Sequence, residues 1–234
     1  MASHKDPYVT LRLFSSGLNV VLITASIWLT SAIEKSVSSL LGDKPIVITT
    51  LLYAGPATLI WVLVTFVLAP VMLKWWPIRR ILLSGSYVEG CWIEVVSLTD
   101  GTVGTATITI QPDGESFNLF GTTYSKEGGA LSSFVADYHD IQWPRLRYKH
   151  SNWPYLGQDG EGVLEGIAQL SFESSPRGPP VYYAGFFHHA GSNVRNRTQA
   201  YKIKRKEIWK LNSVDSKIEM MQEYKTRLLS GAGS

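Results

Sequence analysis

The sequence predicts a membrane-anchored all-β protein, in which two N-terminal transmembrane helices precede an eight-stranded antiparallel β-barrel and a C-terminal amphipathic helix. Two uncharged stretches come first, at 13–33 and 45–73. Runs rich in Val, Ile, Thr, Tyr and Phe, separated by Gly, Pro, Asp and Asn, fill most of the remainder. We therefore expect an anchor over 1–80 and a cytoplasmic ligand-binding domain over 81–234.

The first predicted span is 13–33, and its 21 residues carry no charge. As a helix they would measure roughly 31 Å, about the thickness of a hydrocarbon core. A signal peptide is the alternative, but the apolar region is longer than usual and no small-x-small cleavage site is evident. Buried helices of a soluble protein are a further alternative. The second predicted span, 46–73, is longer than needed and can tilt.

Positive charge predicts that both chain ends are cytoplasmic. The loop between the spans, 34–44, contains only two lysines. Lysine and arginine accumulate on the cytoplasmic side of a membrane protein. The outer flanks of the two spans carry five such residues: Lys5, Arg12, Lys74, Arg79 and Arg80.

The chain is predicted to leave the membrane after the second span at two tryptophans. Trp75 and Trp76 suit the cytoplasmic interface, where amphipathic rings are enriched. Pro77 is expected to end the helix, and Arg79 and Arg80 to reach anionic headgroups. The soluble domain then begins within a few residues of the bilayer.

Eight strands are predicted after the anchor, mostly joined by short turns. No room exists for crossover helices, so the sheet should be antiparallel. Closure into a barrel removes exposed edges, and an open sandwich is the runner-up. The predicted strands are 85–97, 103–110, 116–124, 131–143, 145–150, 163–173, 181–190 and 198–208.

The tail 213–229 is predicted to be an amphipathic helix. Val214, Ile218, Met221 and Leu228 form one apolar stripe at helical spacing. We expect the helix to pack on the barrel or to plug one end of it. Docking on a partner subunit is the alternative.

Catalytic patterns are absent from the sequence, so we expect no enzyme, no cofactor and no metal. The neighbours His188 and His189 would point to opposite faces of a strand. Asp137 and His139 share a face but have no evident third ligand. The single cysteine, Cys91, excludes an intramolecular disulfide.

Charge divides the soluble domain into an acidic part and a basic part. Residues 86–142 hold eight acidic residues and one basic residue, whereas 145–210 hold eleven basic and five acidic residues. A basic face lying on anionic lipid is one interpretation. A site for a small anionic ligand is the other, since arginine beside aromatic rings suits phosphate and bases. An apolar ligand and a pure interaction module also remain open.

Strand alternation suggests which residues meet the ligand. Tyr201 and Arg205 are expected to point inward, whereas Lys202, Lys204 and Lys206 point outward. Arg145 and Arg147 share one face of their strand, and Tyr148 lies on the other. The predicted ligand-binding residues are Tyr87, Trp92, Arg145, Arg147, Tyr148, Arg195, Arg197 and Tyr201.

The layout resembles a known family. Two N-terminal spans, a β-rich domain that opens with Gly85, Tyr87, Gly90 and Trp92 in the pattern G-x-Y-x-x-G-x-W, and a C-terminal helix are similar to the two-transmembrane, β-strand-rich effectors of bacterial CBASS anti-phage immunity. The resemblance covers nearly the whole chain and depends mainly on the architecture.

The resemblance implies a function. The barrel would be a lipocalin-like receptor for a cyclic dinucleotide made during infection. Binding would drive homo-oligomerisation in the bacterial inner membrane, and the spans would disrupt that membrane. No DNA or RNA polymer is expected as a partner. The rival interpretations are an anchored carrier of lipid or another apolar ligand, and an anchored hydrolase.

Overall fold

The computed structural model describes residues 6–41, 55, 58–59, 61–99, 101–155, 163–173, 178–192 and 194–230. The chain divides into two compact units. One unit comprises Tyr8–Leu82, and the other comprises Leu83–Ser234 together with the N-terminal residues through Pro7.

The described residues of the first unit form three α-helices. They are α1 (Val9–Leu41), α2 (Ala69–Lys74), which follows a π-helical turn at Val64–Leu68, and α3 (Trp76–Leu83). Within the described residues, no helix on its own has the length and apolar character of a membrane span. The helical segments Trp61–Lys74 and Trp76–Ser86 meet those criteria only as a pair, with a bend of 71° between them.

Helix α1 differs from the predicted first span. It extends through Leu41, so the predicted loop at 34–44 is wrong over its first eight positions. Glu34 and Lys35 are good helix formers, and no glycine or proline lies between Glu34 and Gly42. Much of the second predicted span, 46–73, lies outside the described residues.

The exit segment also differs from the prediction. Pro77 does not end a helix; it lies in the first turn of α3, where its missing N–H costs nothing. Arg79 is fully buried rather than directed at headgroups. Its guanidinium donates to the Leu73 carbonyl at 2.8 Å and lies 5.7 Å from the Tyr8 ring centre. Arg79 therefore satisfies a backbone group that the break between α2 and α3 leaves open.

The second unit is a closed antiparallel barrel in which each strand pairs with its neighbours in sequence and β1 pairs with β8. The predicted eight-stranded barrel is thus confirmed, as is the C-terminal helix α4 (Val214–Leu229). The strands are β1 (Gly90–Ser97), β2 (Val103–Asp113), β3 (Ser116–Tyr124), β4 (Ala130–Gln142), β5 (Arg145–Pro154), β6 (Leu164–Phe172), β7 (Tyr182–His189) and β8 (Asn196–Lys202).

Several strand boundaries differ from the prediction. Strands β2 and β5 run three and four residues further than predicted, to Asp113 and Pro154. The two largest differences are in β1 and β8. Strand β1 begins at Gly90 rather than at 85, because a short 3₁₀ turn, Ser84–Ser86, precedes it. Strand β8 ends at Lys202, and a 3₁₀ helix, Arg205–Asn212, replaces its predicted continuation to 208.

The barrel interior is packed in one half. Trp92, Ile108, Leu119, Leu146 and Tyr183 are fully buried there, at the end where β1 begins. The half at the other end of β1 is hollow and is described below.

Helix α4 packs on the outside of the barrel over β1 and β8. Its Met220, Tyr224 and Leu228 bury against outward-facing residues of those strands, such as Ile93 and Val95. The apolar stripe of the tail therefore covers the barrel wall and does not plug an end.

The turn between β3 and β4 also contacts α4, at Gly128. This residue has φ +79°, and a Cβ there would lie 2.5 Å from the Ile218 side chain. We expect Gly128→Ala to lower the free energy of unfolding by about 1–3 kcal/mol, from backbone strain and from the clash. Gly101→Ala is the control, since it has φ +84° but open space around its Cβ. Equal losses in urea unfolding of the two variants would contradict the packing of α4 on this turn.

Candidate functional site

The hollow half of the barrel contains a cavity of about 230 Å³. It is reached from the end where β1 finishes and β2 begins. Its lining includes Glu94 and Val96 of β1, Phe134 of β4, Tyr148, His150 and Asn152 of β5, Phe187 and His189 of β7, and Thr198 of β8.

Glu94 is the acidic group of the cavity. Its carboxylate accepts hydrogen bonds from the hydroxyls of Thr198 and Tyr183, the latter at 3.1 Å. Burial raises the pKa of Glu94 to about 7, more than these two hydrogen bonds lower it. Near neutral pH the carboxyl can therefore accept a hydrogen bond or, when protonated, donate one.

Three polar atoms around the cavity are buried without a hydrogen-bond partner among the residues that the structure describes. They are Nδ1 of His150, Nδ1 of His189 and Oδ1 of Asn152. Burial lowers the pKa of His150 to about 4, so its ring is neutral at physiological pH. Buried polar groups are nearly always hydrogen-bonded, so atoms of this kind point to a ligand or an ordered water.

Glycine makes room for one of these rings. Gly166 on β6 pairs with His150 on β5, and a Cβ at Gly166 would lie 2.5 Å from the imidazole. The absence of a side chain at this position thus allows the His150 ring to lie against the neighbouring strand.

Aromatic rings form much of the wall. Phe134 and Phe187 lie 5.8 Å and 6.3 Å from His150, in edge-to-face arrangements. Tyr148 lies 5.8 Å from the same ring. Flat walls with a few buried polar atoms suit a planar heterocycle, which stacks on rings and forms hydrogen bonds at its edge.

Two of the predicted ligand-binding residues lie inside the barrel. Tyr148 lines the cavity. Trp92 lies in the packed half, where its indole N–H donates to the Val88 carbonyl at 3.0 Å. The rings of Phe172 and Tyr183 are 5.5 Å and 5.1 Å from it. Trp92 is therefore a residue of the barrel core.

The predicted alternation on β8 is wrong. Tyr201 faces outward and is buried under α4, with the Arg227 guanidinium 4.2 Å from its ring centre. Lys202 faces inward instead. Its ammonium donates to the Tyr87 carbonyl at 2.9 Å and lies 4.6 Å from the Tyr87 ring, at the packed end of the barrel. Arg205, also predicted to point inward, is exposed.

The four predicted arginines do not meet in the cavity. Arg145 and Arg147 are exposed on the outer face of β5. Arg195, in the connection between β7 and β8, lies 5.0 Å from the Phe186 ring, and Arg197 is exposed. Among the described residues, the cavity lining includes no arginine or lysine.

The sequence reasoning missed most of the cavity residues. The sequence analysis considered His189 only as a metal ligand. The described part of the chain holds no group of three His, Cys, Asp or Glu residues that could bind a metal ion. A usable signal existed on β5, where Tyr148, His150 and Asn152 alternate and therefore share a face.

Comparisons with known proteins add little. No protein-family model and no curated protein matches the chain. Among solved structures, a redesigned β-barrel is similar, with 13% sequence identity over 50% of this chain and 92% of that chain, at a TM-score of 0.39. Similarity at this level carries no argument about function.

Proposed function

We propose that the chain is a membrane-anchored receptor and effector of the CBASS type. The barrel binds a cyclic dinucleotide, and binding drives self-association of the anchored chains and disruption of the bacterial inner membrane. Both termini are cytoplasmic in this proposal. The observation that carries it is the half-hollow barrel, whose cavity combines aromatic walls with buried polar atoms that lack partners.

The cavity suits the base of the ligand better than its phosphates. Phe134, Phe187 and His150 offer surfaces for stacking, and Glu94 and Asn152 offer hydrogen bonds to a base edge. A phosphate beside Glu94 would meet a like charge whenever that carboxyl is ionised. The volume of about 230 Å³ is also below the ~300–1,000 Å³ of sites that enclose a drug-sized ligand. One base inserts, and the remainder of the ligand stays outside.

Exposed apolar side chains in the first unit support the membrane part of the proposal. Leu13, Val20, Ile27 and Trp28 of α1 are 63–72% exposed, and Phe66 is 66% exposed. Apolar surface on this scale is typical of contact with lipid or with other helices. No ionisable residue lies within 13–33, which disfavours ion-coupled transport.

A carrier of an apolar ligand is the second candidate. One observation favours it: the described cavity lining has no cationic residue, and Val96, Leu98 and Phe134 are part of it. The buried polar atoms of His150, His189 and Asn152 disfavour a purely apolar occupant, because a lipid tail would leave them unsatisfied.

Calorimetric titration of the full chain in detergent micelles, with a panel of cyclic dinucleotides, tests the proposal. We expect one member to bind with micromolar or tighter affinity. Ala168→Leu fills the cavity from β6 and should weaken binding at least tenfold. Ser171→Leu places a leucine on the outer face of that strand and should leave the affinity unchanged. Asn152→Ala, which removes one hydrogen-bonding atom without adding volume, should also weaken binding.

The arginines and the oligomeric state complete this experiment. Arg145→Ala should leave the affinity within about twofold, because that side chain lies outside the barrel. Light scattering should show larger particles once the ligand is bound. If every cyclic dinucleotide fails to bind while a fatty acid binds and is excluded by Ala168→Leu, the carrier function replaces the proposal.

A further inference from the structure

A second cavity, of about 240 Å³, lies on the outside of the barrel. It lies between α4 and the turn that joins β3 to β4, beside the contact of Gly128 with Ile218. The helix contributes one face, with side chains at the spacing i, i+3, i+4 and i+7. The lining residues are Val103, Thr105, Tyr124, Ser125, Lys126, Gly128, Ile218, Met221, Gln222 and Lys225. We call this cavity the α4 groove.

Positive charge approaches the α4 groove from both sides. Lys126 lines it from the turn, and Lys225 lines it from α4. A third ammonium, that of Lys217, lies 5.0 Å from the centre of the Tyr124 ring. The acidic residue of the turn, Glu127, is exposed and is not part of the lining. Ammonium groups act as point charges for phosphate, and Ser125 and Gln222 add hydrogen-bond donors.

The α4 groove adjoins the cavity inside the barrel. Thr105 and Tyr124 line both. The Tyr124 hydroxyl lies 3.3 Å from that of Thr107, and the Thr105 hydroxyl lies 3.8 Å from the Met221 sulfur. Thr105 and Tyr124 therefore lie between the aromatic cavity, which holds the carboxyl of Glu94, and the cationic groove.

We infer that the α4 groove is an anion subsite that binds a phosphate group. In the receptor function proposed above, on which this assignment of the ligand rests, the base occupies the barrel cavity and a phosphate of the same molecule occupies the groove. This division explains why the lining of the barrel cavity, over the residues that the structure describes, includes no cationic side chain. A phosphate bound between Lys126 and Lys225 would link the barrel to α4. Ligand binding would then hold α4 more firmly against the barrel.

Inorganic pyrophosphate is the probe that tests the subsite alone. The full chain in micelles is titrated into pyrophosphate, and ³¹P line broadening is measured. We expect the double variant Lys126→Ala/Lys225→Ala to weaken binding at least fivefold. The control Lys204→Ala/Lys206→Ala removes the same charge from two exposed positions and should leave the affinity unchanged. Ala168→Leu should also leave it unchanged, since that change fills only the barrel cavity.

The outcomes separate the subsite from the proposed function. Equal pyrophosphate affinity in the wild type and in both double variants would overturn the subsite, even if a cyclic dinucleotide binds and is excluded by Ala168→Leu. Pyrophosphate binding that depends on Lys126 and Lys225, without binding of any cyclic dinucleotide, would support the subsite and remove the proposed ligand. If both the subsite and the proposed function are correct, Lys126→Ala/Lys225→Ala should weaken binding of the cyclic dinucleotide at least tenfold. The affinity for a free nucleoside should not change.

Discussion

Trp92→Ala is expected to lower the free energy of unfolding of the barrel by about 3–5 kcal/mol, the cost of removing a large ring from a packed interior. Trp92 is fully buried, and it packs on Phe172 and Tyr183 while donating to the Val88 carbonyl. The change leaves a void among these rings that the closed sheet cannot collapse to fill. Urea unfolding followed by circular dichroism measures the loss.

The control for this prediction is Trp209→Ala. Trp209 is 62% exposed, so its removal should change stability by less than about 0.5 kcal/mol. Trp92→Phe should keep both the fold and ligand binding, because an aromatic ring is retained. A Trp92→Ala protein of normal stability that has lost only ligand binding would show that Trp92 is a contact residue after all.

Glu94→Gln should remove a pH dependence of stability. The pKa of Glu94 is about 7 in the folded chain against an ordinary value of 4.5, mainly because of burial. The folded state therefore holds this proton more tightly than the unfolded state. The resulting stability is complete below pH ~4.5 and is lost as the pH rises through about 7. At ~1.4 kcal/mol per tenfold change in proton affinity, the loss amounts to about 3 kcal/mol.

The measurement compares urea unfolding of the wild type and of Glu94→Gln at pH 5 and at pH 8. Between pH 5 and pH 8, we expect the free energy of unfolding of the wild type to fall by about 2–3 kcal/mol relative to that of Glu94→Gln. His150 acts in the opposite sense, since its lowered pKa reduces stability as the pH falls, but it is present in both chains and cancels in the difference. A difference that does not change with pH would show that Glu94 is not buried.

The barrel was predictable from the sequence because alternation and turn residues act locally. Strand β3 agrees with its prediction at both ends, Ser116 and Tyr124. The inward face of β8 was not predictable in the same way. Tyr201 and Ile203 are large apolar residues on one face of the predicted strand, and such residues usually mark the interior. Here α4 covers the outer face, so the burial of Tyr201 comes from the helix.

The cavity was not predictable because it depends on which inward positions are filled. All eight strands present inward side chains at both ends of the barrel, and only their pairing places Trp92 beside Ile108 in one half and Glu94 beside Ala106 in the other. Large rings fill the first half, whereas the small side chains of Ala106 and Ala168 leave space in the second. The number of arginine and aromatic residues in the sequence does not indicate which half of the barrel is filled and which is hollow.

The claim that the barrel interior binds the ligand is tested most directly by the NMR resonances of the histidine rings. In the full chain labelled with ¹⁵N in its imidazoles, a cyclic dinucleotide should shift the resonances of His150 and His189, which line the cavity. His139, which contacts Ser116 and Phe117, and His188, on the opposite face of β7, should stay in place. Shifts at the two cavity histidines alone are the predicted result. Saturable binding that leaves both unchanged would contradict the claim that the barrel interior is the receptor site.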